Sequence, residues 1–510
     1  MTALSLAQVG DAPLAPIDVP NVEYSGMLPE LVLIGGAVAL LLVVATTRRR
    51  NPRLWMLLTV ATGSLSMAAS AWIWFDVRDN GPQRIVADAL VVDGFAAFFM
   101  VLVSVTVILG ALVAGSYLER EGFDGPEFLV LMLLSASGAV VMASANDLIV
   151  LFLGLEILSI ALYVMAGFDG RRQQSREAAM KYFVLGAFSS ALFLYGVALV
   201  YGATGSTNLA TVRDFLAGNL APRGGVLLAG AALLLVGLGF KVAVVPFHTW
   251  TPDVYQGSPT PATGFMAAAA KAAGFAGLLR VFFSTFSTLQ VDWRPVVWAL
   301  AVVTLLVGSV LAVVQTDIKR MLAYSSISHA GYVLIGLQAA TDKGVAGSLF
   351  YLLAYTFMVL GSFAVVTVVG RRGDADHDLS AYRGLAARRP ALAMAFTVLL
   401  LSQAGVPFTT GFLAKFYVIS AAVEARSYAL GLIGMLSAVI AAFFYLRITV
   451  LMYAQPTTAE PAAAEGSPVR RLPVPVTTAL VVTAAVAFTV VFGLIPSPMI
   501  EFARDATLML

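Results

Sequence analysis

Fourteen apolar stretches follow one another along this chain, with approximate limits 28–47, 54–75, 90–114, 126–144, 147–168, 178–201, 226–250, 260–285, 295–315, 319–339, 344–369, 390–422, 428–453 and 474–496. A helix needs roughly 20 such residues to cross the hydrocarbon core of a bilayer. In lipid each backbone N–H and C=O must find its partner internally, and stretches of this length satisfy that demand as helices. Of the 510 residues, 59% are hydrophobic and only 12% charged, about half the charge of a typical soluble domain. The expected fold is therefore an all-α polytopic membrane protein with about 14 transmembrane helices.

Lysine and arginine set the expected orientation. Seventeen lie in connections that follow odd-numbered spans, among them Arg48, Arg49, Arg50, Arg171, Arg172, Lys319, Arg320, Arg371, Arg372, Arg470 and Arg471. Eight lie in the even-numbered connections and the C-terminal tail. Cytoplasmic loops carry the excess of basic residues, so the odd connections are expected inside and both termini outside. The first 26 residues lack a basic segment followed by an apolar core, so the first span, not a cleavable signal, is expected to direct insertion.

Several chemistries are disfavoured. There is no cysteine, hence no disulfide, thiolate nucleophile or cysteine-ligated cluster. The histidines, His248, His329 and His377, stand far apart and none is at metal-ligand spacing. Neither GxGxxG nor GxxxxGK[ST] occurs, and the formal net charge of +2 argues against a nucleic-acid partner. No metal and no cofactor is expected in this chain.

The informative residues are charges where lipid penalises them. Six basic residues fall within or at the ends of spans: Lys181, Lys241, Lys271, Arg280, Lys415 and Arg447. In "GLGFKVAVVPFHTW" Lys241 precedes Pro246 by five residues and His248 follows it. Proline removes an N–H and clashes with the carbonyl four residues back, so carbonyls near Lys241 are freed and must find water or protein partners. Glu156 sits mid-span in "LFLGLEILSIALYVMAG". A lone buried carboxyl neutralises itself or finds a cation, and Lys241 is the expected partner. Lys271 lies among alanine and glycine in "FMAAAAKAAGFAG", where small residues permit close helix packing. Lys415 follows the breaker-rich "SQAGVPFTTG" with its Pro407. In "AYSSISHAGY" Ser325, His329 and Tyr332 share one helix face, fit either for proton hand-over or for a structural stripe. Lys181 follows Glu177 by four residues, which also suits an ordinary surface pair. His248 could cap or gate the break. Arg280 and Arg447, near span ends, are expected to snorkel.

"VPF" occurs at 245–247 and again at 406–408, five spans apart. A unit with an odd number of helices inserts upside down the second time. Paired broken helices at the interface of inverted repeats mark the central site of many transporters. Spans 4–8 and 9–13 are the candidate repeats, with broken helices in spans 7 and 12. The expected division is 1–125 for spans 1–3, 126–290 for the first repeat, 291–455 for the second, and 456–510 for a linker and span 14.

The segments "KVAVVPFHTWTPDVYQGSPTPATGFMAAAAKAAGFAG" and "QTDIKRMLAYSSISHAGY" resemble the antiporter-like membrane subunits of respiratory complex I, over essentially the whole chain. "PDVYQGSP", the alanines before Lys271 and the lysine at 415 favour the N type among them, as does an end soon after span 14. The resemblance implies fourteen helices and a translocase subunit of NADH:quinone oxidoreductase that does no redox chemistry itself. It implies a proton path through Glu156, Lys241, Lys271, His329 and Lys415, with Lys181, His248 and Tyr324 also matching functional positions. NADH, FMN, iron–sulfur clusters and a quinone would then belong to other subunits, and the partners would be other complex I membrane subunits in the plasma membrane. Multi-subunit cation/proton antiporters and membrane-bound hydrogenases share these motifs and give the alternative reading.

Overall fold

The computed structural model describes residues 22–47, 51–218, 224–455 and 472–507. The first 21 residues, Arg48, Arg49, Arg50, Arg470, Arg471 and the linker 456–471 lie outside the described residues.

The architecture is a helical bundle. Among the described residues, eleven helices are long and apolar enough to cross a membrane. They include α1 (Leu28–Thr46), α2 (Pro52–Asn80), α3 (Gly94–Glu121), α4 (Pro126–Ser144), α5 (Leu148–Ala166) and α6 (Gln173–Thr204). After the short amphipathic α7 (Leu209–Gly218), the next stretch is broken into α8 (Gly225–Lys241) and α9 (Trp250–Gly257). Then come α10 (Thr260–Thr285), α11 (Gln290–Val313), α12 (Ile318–Ala339) and α13 (Asp342–Val369). A second broken pair follows, α14 (Pro390–Ala404) and α15 (Thr410–Glu424), and then α16 (Tyr428–Tyr453), α17 (Val476–Leu494) and the short α18 (Ser497–Asp505). Both expected interruptions are present.

Element starts follow their caps. The stretch expected from residue 90 begins as a strand, Leu90–Val92, antiparallel to Gln83–Ile85 with Gln83 opposite Val92. The helix starts only at Gly94, because the Asp93 carboxylate accepts the Ala96 N–H at 2.8 Å, an N-cap contact. Asp147, Asp317 and Thr409 cap α5, α12 and α15 in the same way.

The hydrophobic pattern sorts helices into layers. α10 is wholly buried and α13 nearly so, whereas α1, α2, α6 and α17 present large apolar side chains outward. Small residues let α10 sit at the centre: a Cβ on Gly274 would lie 2.6 Å from Val242 Cγ1 and 3.3 Å from Lys241 Cγ. That contact puts Lys241 against α10 one turn from Lys271.

One buried carboxylate gathers the loops at one end. Asp374 accepts from Thr260 N at 3.1 Å and Thr260 Oγ1 at 2.8 Å. Around it stand Arg172 at 3.3 Å, His377 at 3.5 Å and Lys319 at 3.6 Å. Burial opposes its charge, but Lys319, His377 and Arg172 outweigh that penalty and hold the carboxyl well below the usual carboxylate range. Lys319, read from sequence as a loop cation, is thus fully buried.

Arg280 does not snorkel. It is buried, donates to both Asp93 oxygens at 2.9 Å and to Ala143 O at 3.0 Å, and lies over the Phe95 ring. The fixed bidentate fork suits a buried pair better than a trip to the interface. Arg447 is exposed and donates to Val313 O at 3.2 Å, in keeping with its expected place.

Candidate functional site

The first break occupies residues 242–249. Its Val245–Pro246 peptide is cis and Ala243 has a positive φ of 62°. The freed backbone groups find protein partners. The Trp250 indole donates to Phe240 O at 3.0 Å, and Val245 N donates to Thr304 Oγ1 at 3.1 Å. His248, half-buried within the break, has an Nδ1 with no hydrogen-bond partner.

Lys241, the last residue of α8, is buried. Its Nζ donates to Ser159 Oγ at 2.8 Å and to Tyr182 Oη at 3.4 Å. Glu156 is half-buried on α5 and accepts from Ser190 Oγ of α6. No ion pair joins the two directly. Ser159 lies one turn from Glu156 on the same helix, and its hydroxyl intercepts the ammonium. The expected partners are therefore neighbours through hydroxyls, not in contact.

Lys271 heads the α-helical segment that follows a π-helical stretch, Met266–Ala270. Such wide turns recur at functional sites. Its Nζ donates to Ser326 O of α12 and stands 5.6 Å from the Tyr355 ring centroid. Tyr355 in turn packs against His329, ring centroids 4.9 Å apart.

His329 is buried between two phenols, with Nδ1 2.6 Å from Tyr351 Oη and Nε2 3.2 Å from Tyr445 Oη. Tyr445 also meets Ser325 Oγ and donates to Gln403 Oε1 at 3.5 Å. The Tyr332 hydroxyl donates away from this line, to Gly434 O, but its ring stacks on Tyr351, centroids 5.8 Å apart, and lies 5.0 Å from the Lys415 ammonium.

The second break occupies residues 405–409, with positive φ at Gly405 (94°) and Phe408 (66°). Lys415 caps it directly, donating to Gln403 O and Ala404 O, each at 2.8 Å. A side chain at 405 would meet Lys415 Cδ at 3.1 Å, so glycine suits the position on both counts. Gln403 thereby joins the His329–Tyr445 line to Lys415.

Lys181 bonds Glu177 at 2.7 Å, the pair its spacing suggested, and also Asp253 of α9 at 2.7 Å. Tyr324 is half-buried on α12, its ring against the core. The structure thus gathers Lys241 with Glu156, and His329 with Lys415, with Lys271 between them. Sequence reading missed Ser159, Ser190, Tyr182, Tyr355, Tyr445 and Gln403. Among the described residues no group of three His, Cys, Asp or Glu could hold a metal ion.

Residues 145–441, which hold all of these side chains except Tyr445, match the profile of the family described as "NADH:quinone oxidoreductase/Mrp antiporter, TM". The chain belongs to this family. An NADH-quinone oxidoreductase subunit N from Trichlorobacter lovleyi is 41% identical over 95% of the chain and 97% of its own length. Among solved structures, a chain of respiratory complex I from Thermus thermophilus with bound aureothin is 34% identical, with a TM-score of 0.76 over 93% of this chain and 98% of that one. A chain of the Mrp complex from Dietzia shares the fold at a TM-score of 0.82 over 95% of this chain and 96% of that one, with 22% identity. The resemblance drawn from the two quoted segments and the relatives agree on a complex I membrane subunit of N type.

Proposed function

We propose that this chain is the N-type subunit of a proton-translocating NADH:quinone oxidoreductase and that it moves protons between its buried lysines. The eleven long helices, α12 and the two broken pairs make fourteen crossings in this reading. α4 to α10 and α11 to α16 are two inverted repeats, and both termini face outward from a plasma membrane. Protons enter from the cytoplasm near Lys241, pass by water and Lys271 to His329, and leave outward from Lys415. Quinone reduction elsewhere in the complex supplies the energy, and the flavin and iron–sulfur cofactors reside in its other subunits.

The observation that carries this reading is the buried line His329–Tyr445–Gln403–Lys415, with Lys271 beside it across the Tyr355 ring and Lys241 packed against α10 one turn from Lys271. Isolated charges inside a membrane protein mark ion pathways by default. Glu156 is the switch. No direct ion pair joins it to the ammonium, which Ser159, one turn along α5, holds instead. A direct contact at about 4 Å corresponds to about 4 kcal/mol of attraction at an effective dielectric of 20. Moving one charge through 100 mV takes about 2.3 kcal/mol, so a small side-chain displacement suffices to decide whether Lys241 keeps its proton.

Membrane vesicles test this. Glu156→Gln or Lys241→Ala should impair proton pumping coupled to NADH oxidation; wild-type pumping in both would end the proposal. Flavin and iron–sulfur subunits should co-purify with the chain, whereas sodium-dependent transport without redox partners would favour an antiporter.

A further inference from the structure

The short helix α9 closes one side of the Lys241 site with buried side chains, and on its more exposed face Asp253 ties it to cations of two other helices. Trp250, its first residue, stacks flat on Tyr182, centroids 4.5 Å apart with the planes 11° from parallel. Tyr182 is itself a partner of Lys241. The two rings thus form a floor directly beneath the ammonium.

Three residues along α9, Asp253 faces a different environment. One oxygen accepts Lys181 Nζ at 2.7 Å, and the other accepts Arg320 Nη1 at 2.6 Å. Arg320 also donates to Gln256 Oε1 at 3.0 Å, and Gln256 Nε2 donates to Asp317 Oδ2 at 2.9 Å. The side chains of Lys181, Asp253 and Arg320 are 41%, 36% and 28% exposed, so water reaches this cluster but stops at the rings.

The cations come from different parts of the bundle. Lys181 adjoins Tyr182 on α6. Arg320 and Asp317 belong to the start of α12, the helix that carries His329. α9 is therefore tied on one side to the helix that floors Lys241 and on the other to the helix of the second half-site. A half-exposed ion pair contributes little to stability, about 0–1 kcal/mol. Contacts of that strength open readily and hold a short segment only while they act together.

We propose that Asp253 is a positioning residue, a latch that keeps α9 shut beneath Lys241 and whose release admits water past the Tyr182–Trp250 rings. This rests on the reading that protons reach Lys241 from that end.

The absence of cysteine from the chain makes the test clean. Gln256→Cys combined with Asp317→Cys, introduced into the assembled complex in inverted membrane vesicles, allows α9 to be tied to α12 by a short thiol cross-linker with a cleavable disulfide. Cross-linking should abolish NADH-driven proton uptake, and cleavage by reductant should restore it to the level before cross-linking, while the same treatment leaves the uptake of each single-cysteine variant at its own untreated level. In parallel, Asp253→Asn should raise the passive proton leak of unenergised vesicles several-fold, and Asp253→Glu should return it to the wild-type level. Complete cross-linking with undiminished pumping overturns the latch, whether or not Asp253→Asn assembles. If Lys241→Ala stops pumping in the same vesicles, only the latch has failed; if it does not, the route through Lys241 has failed as well.

Discussion

Ser159 is the side chain on which the buried ammonium most depends. Lys241 has two protein partners, Ser159 Oγ at 2.8 Å and Tyr182 Oη at the longer 3.4 Å. Ser159→Ala removes the shorter bond and leaves the rest of α5 unchanged. A hydrogen bond to a charged group contributes about 1.5–3 kcal/mol, and about 1.4 kcal/mol is a factor of ten in an equilibrium. The charged form of Lys241 in its resting position should then be depleted by about tenfold or more. The assay is proton uptake by inverted vesicles per NADH oxidised, followed with a ΔpH dye. Ser159→Ala should lower that ratio, and Ser159→Thr, which keeps the hydroxyl, should retain most of it. If Ser159→Ala pumps as wild type, the ammonium does not rely on this hydroxyl and the description of the first half-site is wrong.

Two further outcomes follow from the geometry. Tyr445→Phe keeps the ring but cuts the link between His329 and Gln403; pumping should fall while the amount of assembled complex, judged on native gels, stays at the wild-type level. Asp374→Asn strands Lys319 and Arg172 and should destabilise the chain by about 3–5 kcal/mol, the scale for breaking a buried pair. Because the folded state holds this carboxyl below its ordinary value, its contribution is complete above about pH 4 and is lost as pH falls through the lower folded value. Thermal melts in detergent should therefore show the difference between wild type and Asp374→Asn shrinking only below about pH 4.

The broken helices were legible because proline, glycine and lysine have no ordinary reason to meet in an apolar run. Lys241, Lys271 and Lys415 stood out for the same reason, and all three are buried. The hydroxyls that hold them did not stand out. Serine, threonine and tyrosine are frequent in apolar helices, and which of them faces a lysine depends on how the helices pack. Ser159 and Tyr445 became informative only once the Lys241 side chain reached α5 and α16 lay against α12. Arg280 was misread because its partner, Asp93, lies 187 residues away in sequence, in a segment that resembles the start of a span. The direct Glu156–Lys241 contact was expected from charge complementarity alone, which cannot register an intervening hydroxyl. In α10 the alanines and glycines signalled close packing, and that is where Lys271 is found.

In the proposed route protons cross between the two half-sites by way of Lys271. The proton-to-electron ratio of the purified complex in sealed proteoliposomes measures this, with Lys271→Met replacing the ammonium by an uncharged side chain of similar length. The ratio should fall while NADH oxidation in uncoupled proteoliposomes is retained. A ratio equal to that of the unaltered complex would show that the buried lysine at the centre of α10 carries none of the traffic.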